Sequence, residues 1–185
     1  MGTTFKYIAD HVLEKKGWVA ECFYCNRDVK LFYMFSIDDG SGECGPSEIS
    51  VQCIKSLPLD WFSKHDEEVV RQMVSQRYPN KHDRKERVRF FEETREEYRR
   101  TPDLPSLTNW GKWPVCCSDF TEYVGDAGDT HDGPYDEFRW YGPKDHCDAQ
   151  FELSDLVEKP DFHKNDPFSL FKCLRCENQY WTHHV

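Results

Sequence analysis

The chain has 185 residues, a mass of 22.0 kDa and a formal net charge of −10. This length fits one domain with a real core and excludes a large multidomain enzyme. Mean hydropathy is only −0.83, but aromatic residues make up 15% of the chain, which favours a folded protein over disorder. The acidity argues against a general binder of nucleic-acid backbone, because phosphate affinity depends on Lys and Arg. It would attract a basic protein.

The sequence predicts one compact α+β domain over residues 1–185, with small β-rich units that carry cysteine knuckles and two amphipathic helices in the middle. Its β-rich N-terminal unit is 1–57, its helical segment is 58–100, and its acidic C-terminal unit is 101–185. The last unit carries a net charge of −9, whereas the first hundred residues carry −1. The excess charge therefore belongs to one half of the chain.

The predicted elements of the N-terminal half are short strands followed by helices. β-branched and aromatic residues indicate strands around Trp18–Ala20 and at Val29–Phe35, before the turn signal Asp38–Gly42. A helix is predicted from an N-cap at Ser63 up to Tyr78–Asn80. A second helix is predicted over 83–100, with a thin apolar stripe on a solvated, charged surface; the stripe is formed by Val88, Phe91, Arg95 and Tyr98.

In the C-terminal half, Cys116–Gly125 is predicted to form a short helix or strand that ends at the glycine. Glycine and proline break regular structure over 126–150, which indicates an extended loop. Alternation over Phe168–Trp181 predicts a terminal hairpin around Cys173–Cys176.

The nine cysteines carry the strongest local signal. The start of the chain has no basic region leading into an apolar one, and no run of about 18 apolar residues occurs, so we expect a cytoplasmic protein without membrane contact. Cysteines in a reducing compartment are more often free, metal-bound or catalytic than disulfide-bonded.

Two CxxC pairs, Cys22–Cys25 and Cys173–Cys176, have the spacing at which a tight turn presents two thiolates to one zinc ion. The first pair has Cys53 and Cys44 as candidate partners. The second has a larger set of candidates, namely Cys116, Cys117, Cys147, His183 and His184. Structural zinc is the favoured interpretation, with free buried thiols and a redox motif as the alternatives.

The acidic segment 126–166 interleaves carboxylates with aromatic residues. Carboxylates steer a basic partner and aromatic side chains anchor it, so we predict a partner-binding surface here. Its predicted residues are Asp126, Asp129, Asp132, Tyr135, Asp136, Glu137, Phe138, Trp140 and Tyr141. The alternative is a solubilising loop whose aromatic side chains face inward.

Catalytic motifs are missing from the sequence: it has no P-loop, dinucleotide fingerprint, nucleophile elbow or HExxH. We therefore predict no enzymatic activity. One competing hypothesis is a zinc-dependent enzyme in which one cysteine cluster is open and Asp119, Asp129 or His131 acts as acid or base. The other is a zinc-stabilised stress or tolerance protein of unknown activity.

Motifs at both ends of the chain and between them follow one another in the order found in the CbrC family, which this chain resembles. They are Phe5–Tyr7, Cys22 with Cys25, Cys53–Ile54, Arg100–Pro102, Trp110 to Trp113, Cys116–Phe120, Val124–Gly125 and Leu170–Cys176. Members of the family are small bacterial proteins associated with tolerance to a DNase colicin, and they look like immunity proteins of toxin systems. No enzymatic activity is established for them.

The resemblance implies two zinc sites. One is intact and consists of Cys116, Cys117, Cys173 and Cys176. The other comprises Cys22, Cys25 and Cys53, and it is degenerate unless Cys44 completes it, because Ser50 stands where the family has a further cysteine. Ser118 and Glu177 also replace family glycines.

The resemblance and the acidity together predict an immunity-type protein that binds a cognate toxin and occludes its basic active site. A nuclease needs basic side chains to hold phosphate, and a surface of Asp and Glu mimics that phosphate. The partner is therefore a basic, nuclease-type protein, and direct binding of this chain to nucleic acid is not expected.

Overall fold

The computed structural model describes residues 2–13, 19–30, 32–38, 44–56, 64–80, 82–101, 113–127, 134–142, 144, 151–157 and 168–183. The α+β class is confirmed. The helices are a 3₁₀ turn (Asp10–Leu13), α1 (Val51–Ser56), α2 (Lys64–Arg77), α3 (Arg84–Arg100) and α4 (Leu153–Val157). The strands are β1 (Ala20–Glu21), β2 (Asp28–Val29), β3 (Phe32–Asp38), β4 (Cys44–Ser50), β5 (Val115–Cys116), β6 (Asp119–Phe120), β7 (Glu122–Asp126), β8 (Phe138–Trp140), β9 (Phe168–Lys172) and β10 (Gln179–His183).

A four-stranded sheet with the order β7-β9-β10-β8 organises the C-terminal unit. β9 and β10 form the predicted antiparallel hairpin, and β7 pairs with β9 around a bulge at Gly125, whose φ of 121° suits glycine. β8 lies within the segment for which we expected only a loop, and it pairs with β10 in parallel. That pairing joins segments about forty residues apart, so the local pattern of residues gave no sign of it.

Both faces of this sheet are covered. Phe171 and Tyr123 face the main core, which includes side chains from α2 and α3. Leu170 and Trp181 face a second cluster that includes Leu153 of α4. The sheet is apolar on both sides for this reason, and all residues of β9 except the last are buried.

The two middle helices are confirmed. α2 buries Val70, Met73 and Val74, as its spacing predicts. α3 buries Phe90 and Thr94; of the predicted stripe, Phe91 and Tyr98 are half-buried against the main core, whereas Val88 is 55% exposed. Exposed Glu–Arg pairs cover much of α3, and in the described part of the chain no helix is long and apolar enough to cross a membrane.

The described part of the N-terminal unit contains two antiparallel hairpins, β1–β2 and β3–β4, with the 3₁₀ turn before them and α1 after them. The segment before them joins the C-terminal sheet, because Ile8 forms a parallel bridge with Tyr123 and the N–H of Ala9 donates to the Tyr123 carbonyl at 2.9 Å. The two ends of the chain therefore meet at β7, next to the strands that carry the second set of cysteines.

Candidate functional site

Four cysteines of the C-terminal unit form what we call the C-terminal cluster: Cys116, Cys117, Cys173 and Cys176. Their Sγ atoms all lie within 4.8 Å of one another. Cys176 Sγ is 3.6 Å from Cys116 Sγ and 3.6 Å from Cys117 Sγ, and the last two are 3.8 Å apart. Zinc–sulfur bonds of about 2.3 Å in a tetrahedron separate the sulfurs by about 3.8 Å. The cluster is thus positioned to hold a metal ion.

Two hairpin turns bring these sulfurs together. The β5–β6 turn consists of Cys117 and Ser118, whose φ angles of 52° and 56° are those of a two-residue hairpin turn with both central residues left-handed. The β9–β10 turn holds the CxxC pair. Its Cys173 N–H donates to the Asn178 carbonyl at 2.9 Å, and the Arg175 N–H donates to Cys173 Sγ at 3.4 Å.

The hydrogen bonds of the C-terminal cluster give its cysteine thiols different pKa values. Burial raises the pKa of Cys116, but hydrogen bonds from Tyr180, at 3.1 Å, and from neighbouring cysteines outweigh burial and lower this pKa to about 7. Hydrogen bonds to Cys176 and Cys116 raise the pKa of Cys117 to about 12. A metal ion that binds here must therefore displace protons.

Asp119 follows the Cys117–Ser118 turn and ties the cluster to the start of the chain. Its side chain is only 6% exposed and accepts hydrogen bonds from Lys6 Nζ at 3.0 Å and from the Tyr7 hydroxyl at 2.9 Å. Arg175, inside the second CxxC, lies 3.7 Å away. The carboxylate is occupied by these partners, so its role in this structure is to hold the two segments together.

The second group, which we call the N-terminal cluster, consists of Cys22, Cys25 and Cys53. Their sulfurs also lie within 4.8 Å of one another, so this site too is positioned to bind a metal ion. Burial raises the pKa of Cys22, but N–H donors of Ser50, Cys25 and Tyr24 outweigh it and lower this pKa to about 6. The Ser50 donor is 3.3 Å from Cys22 Sγ.

Ser50 lies beside the N-terminal cluster but serves as a helix cap. It precedes α1, and its Oγ accepts the N–H of Cys53 at 3.1 Å, the bond that an N-cap makes to the third helical residue. Cys44 stands at the opposite end of the seven-residue strand β4, about 20 Å from Ser50 at strand spacing. This corrects our candidate set, because Cys44 is too far away to complete the cluster.

Of the remaining candidate ligands for the second CxxC pair, only His183 lies within the described residues. His183 is half-buried, and its ring centroid lies 4.6 Å from that of Phe168. It belongs to neither group of sulfurs. Cys147 and His184 lie outside the described residues, as do Asp129, His131 and Asp132.

The structure corrects one residue of the predicted partner surface. Phe138 is 1% exposed and packs in the second core cluster, so its side chain offers no surface to a partner. Trp140 is partly buried there, with its ring centroid 4.7 Å from that of Trp181. Some of the aromatic residues in this segment are therefore core residues of strand β8 and not part of an exposed surface.

The remaining described residues of that surface lie around β8 and β7. Asp136 and Glu137 are exposed in the turn before β8, and Tyr135 and Tyr141 are half-buried at its two ends. Asp126 ends β7 and accepts the Ser169 hydroxyl at 2.7 Å. The exposed acidic part of the surface in the described residues is thus the Asp136–Glu137 turn.

Sequence reasoning missed a cleft of about 480 Å³ between α2 and the β5–β6 hairpin. Aromatic residues form much of its wall, and α2 supplies carboxylates. The cleft is lined by His65, Asp66, Glu68, Val69, Gln72, Met73, Gln76, Tyr98, Trp113, Val115, Phe120 and Tyr141. Tyr141 connects it to the predicted partner surface. The apolar spacing of α2 indicated a buried face but not the hairpin that packs near it.

Comparison of the chain with protein-family models, with curated proteins and with solved structures found no match.

Proposed function

We propose that this chain is a non-enzymatic, immunity-type protein that binds a basic toxin of the nuclease class and blocks its active site, with zinc in its cysteine clusters. The observation that carries the proposal is the cleft beside Tyr141, which combines aromatic walls with the carboxylates of Asp66 and Glu68. A lysine or arginine side chain has an apolar stem and a cationic head, and this cleft suits both.

The acidic surface supports the same partner. Asp136 and Glu137 are exposed close to Tyr141, and the chain as a whole has a net charge of −10. The active site of a nuclease needs basic groups to hold phosphate, so an acidic surface competes for the same groups and accelerates encounter with them.

The site geometry favours this function over a zinc-dependent enzyme. The C-terminal cluster already has four sulfur ligands, which is the arrangement of a closed, structural zinc site. Asp119, the one predicted acid or base that lies among the described residues, accepts hydrogen bonds from Lys6 and Tyr7. Zinc is the metal we propose, because four thiolates at tetrahedral spacing suit it.

The test begins with the product of the neighbouring reading frame, purified and mixed with this chain in a calorimeter and in a nuclease assay. We expect binding and inhibition. Reversing charge at Asp136 and Glu137 to lysine should raise Kd by about tenfold, with a larger effect at low salt, because exposed charges are screened. The matched control reverses Glu92 and Glu93, exposed residues of α3 that do not line the cleft.

Equal Kd values for the native chain and the Asp136/Glu137 variant would remove this surface from the proposal. A metabolic enzyme in the neighbouring frame, with no inhibition of any nuclease, would contradict the immunity function. For the metal, elemental analysis should find zinc bound to the purified chain, and less than one ion per chain would remove the structural-zinc claim.

A further inference from the structure

The N-terminal cluster differs from the C-terminal cluster because it lacks a fourth sulfur ligand for a tetrahedral metal site. Cys22, Cys25 and Cys53 offer three sulfurs, and Ser50 lies next to them. The Ser50 hydroxyl already accepts the Cys53 N–H and hydrogen-bonds to Cys22 Sγ. A neutral hydroxyl with both of these partners does not replace a thiolate ligand.

No other residue in the described part of the chain supplies the fourth ligand. No carboxylate or imidazole there joins the three sulfurs in one group. Cys44 is excluded by the length of β4. Cys22 is fully buried, whereas Cys25 and Cys53 are only half-buried, and Phe23 beside them is 49% exposed. Solvent therefore reaches one side of the cluster.

We propose that the N-terminal cluster is a three-thiolate zinc site whose fourth position takes an exchangeable external ligand, namely a small cellular thiolate, with water in its absence. A site with three protein ligands keeps one coordination position open, and exchange of ligand or metal proceeds through that position. A thiolate is the external donor that best matches a metal already bound by sulfur. The chain then carries one permanent metal and one exchangeable metal.

This proposal depends on the metal-binding part of the proposed function and not on toxin binding. It assigns the two clusters different roles. The C-terminal cluster stabilises the fold, and the N-terminal cluster makes the metal available to an incoming ligand at a solvent-facing position.

Cobalt substitution of the full chain tests the open position, since the sulfur-to-cobalt charge-transfer band grows with the number of thiolate ligands. Without added thiol, the two clusters should give the intensity of seven cobalt–thiolate bonds per chain. Titration with 2-mercaptoethanol should raise the intensity by one bond at a single cobalt. In Ser50→Cys, the full intensity should be present from the start and the added thiol should change nothing.

Release of zinc to a chromogenic chelator gives a second readout. The native chain should release one zinc quickly and one slowly, and Ser50→Cys should slow the fast phase by about tenfold or more. The matched control is Ser75→Cys, which adds a thiol at an exposed position of α2, away from both groups of sulfurs. Its fast phase should stay fast.

Three results would overturn the proposal: a single slow phase with two zinc ions bound, a cobalt spectrum that does not respond to added thiol, or one metal per chain held by the C-terminal cluster. The cobalt titration of the native chain decides the matter even if Ser50→Cys does not fold. A chain that binds no metal at all would instead contradict the structural-zinc part of the proposed function.

Discussion

The N-terminal and C-terminal clusters are built around the same CxxC motif but differ in what meets it. The C-terminal motif faces a second turn with two adjacent cysteines, so four sulfurs gather. The N-terminal motif faces the start of α1, where Ser50 caps the helix and only Cys53 adds a sulfur. The element opposite a CxxC motif, rather than the motif itself, therefore decides whether four sulfurs gather around one position.

The largest effect that separates the clusters should come from removing one ligand from each. We expect Cys173→Ser to lower the free energy of unfolding by about 4 kcal/mol or more, because a closed metal site between two hairpins is lost. Cys53→Ser should cost clearly less, since its site already has an open position. Urea unfolding of the metal-loaded chains measures both values, and equal losses would mean that the two sites are equivalent.

A smaller effect should distinguish the surroundings of the clusters. Tyr180→Phe removes the donor to Cys116, and loss of such an outer-shell contact typically weakens metal binding by about tenfold. The same hydrogen bond helps to lower the pKa of Cys116 to about 7, so this pKa should rise in the variant. Because the metal needs the thiolate, acidification should release it at a higher pH than in the native chain.

Chelator competition across a pH series measures the Tyr180→Phe effect. Tyr24→Phe, at an exposed tyrosine between Cys22 and Cys25, serves as the control. The zinc affinity of the N-terminal cluster should be unchanged in Tyr180→Phe. If both clusters weaken together in that variant, its effect is a general loss of packing.

The smallest effects concern backbone conformation at the two turns. Ser118 has a φ of 56°, a conformation that costs a residue other than glycine about 1–2 kcal/mol, so Ser118→Gly should stabilise the chain by about 1 kcal/mol. Asn26, directly after Cys25, has a φ of 51°. Asparagine tolerates this conformation, so Asn26→Gly should change the stability of the chain little. Thermal unfolding measures both, and destabilisation by Ser118→Gly would show that its side chain has a role in the turn.

Local patterns in the sequence were enough to predict some of this fold. The positions of α2 and α3 follow from apolar spacing and a proline stop, and the β9–β10 hairpin follows from alternation, whereas the predicted N-cap at Ser63 lies outside the described residues. These signals depend on residues that are close together in the chain, so they can be recognised from the sequence alone.

The parts that failed depend on contacts between distant segments. β8 pairs with β10 from some forty residues away, which buries Phe138 where we expected a surface anchor. The residues alone left five candidate partners for the second CxxC, because spacing does not tell which turn lies opposite. The cleft forms because the β5–β6 hairpin packs near α2, and local sequence patterns do not predict this packing either.

The strand order of the sheet bears on how the protein is made. Its central strands, β9 and β10, follow both outer strands in the chain, and β7 must wait for a partner that is 43 residues away, as Asp126 is from Ser169. At ribosomal rates of about 5–20 residues per second, the edge of β7 that pairs with β9 therefore stays open to other chains for seconds. The N-terminal cluster, in contrast, has all its sulfurs once Cys53 is made. Metal loading should therefore follow the order of translation, with the exchangeable site filled first and the closed site last.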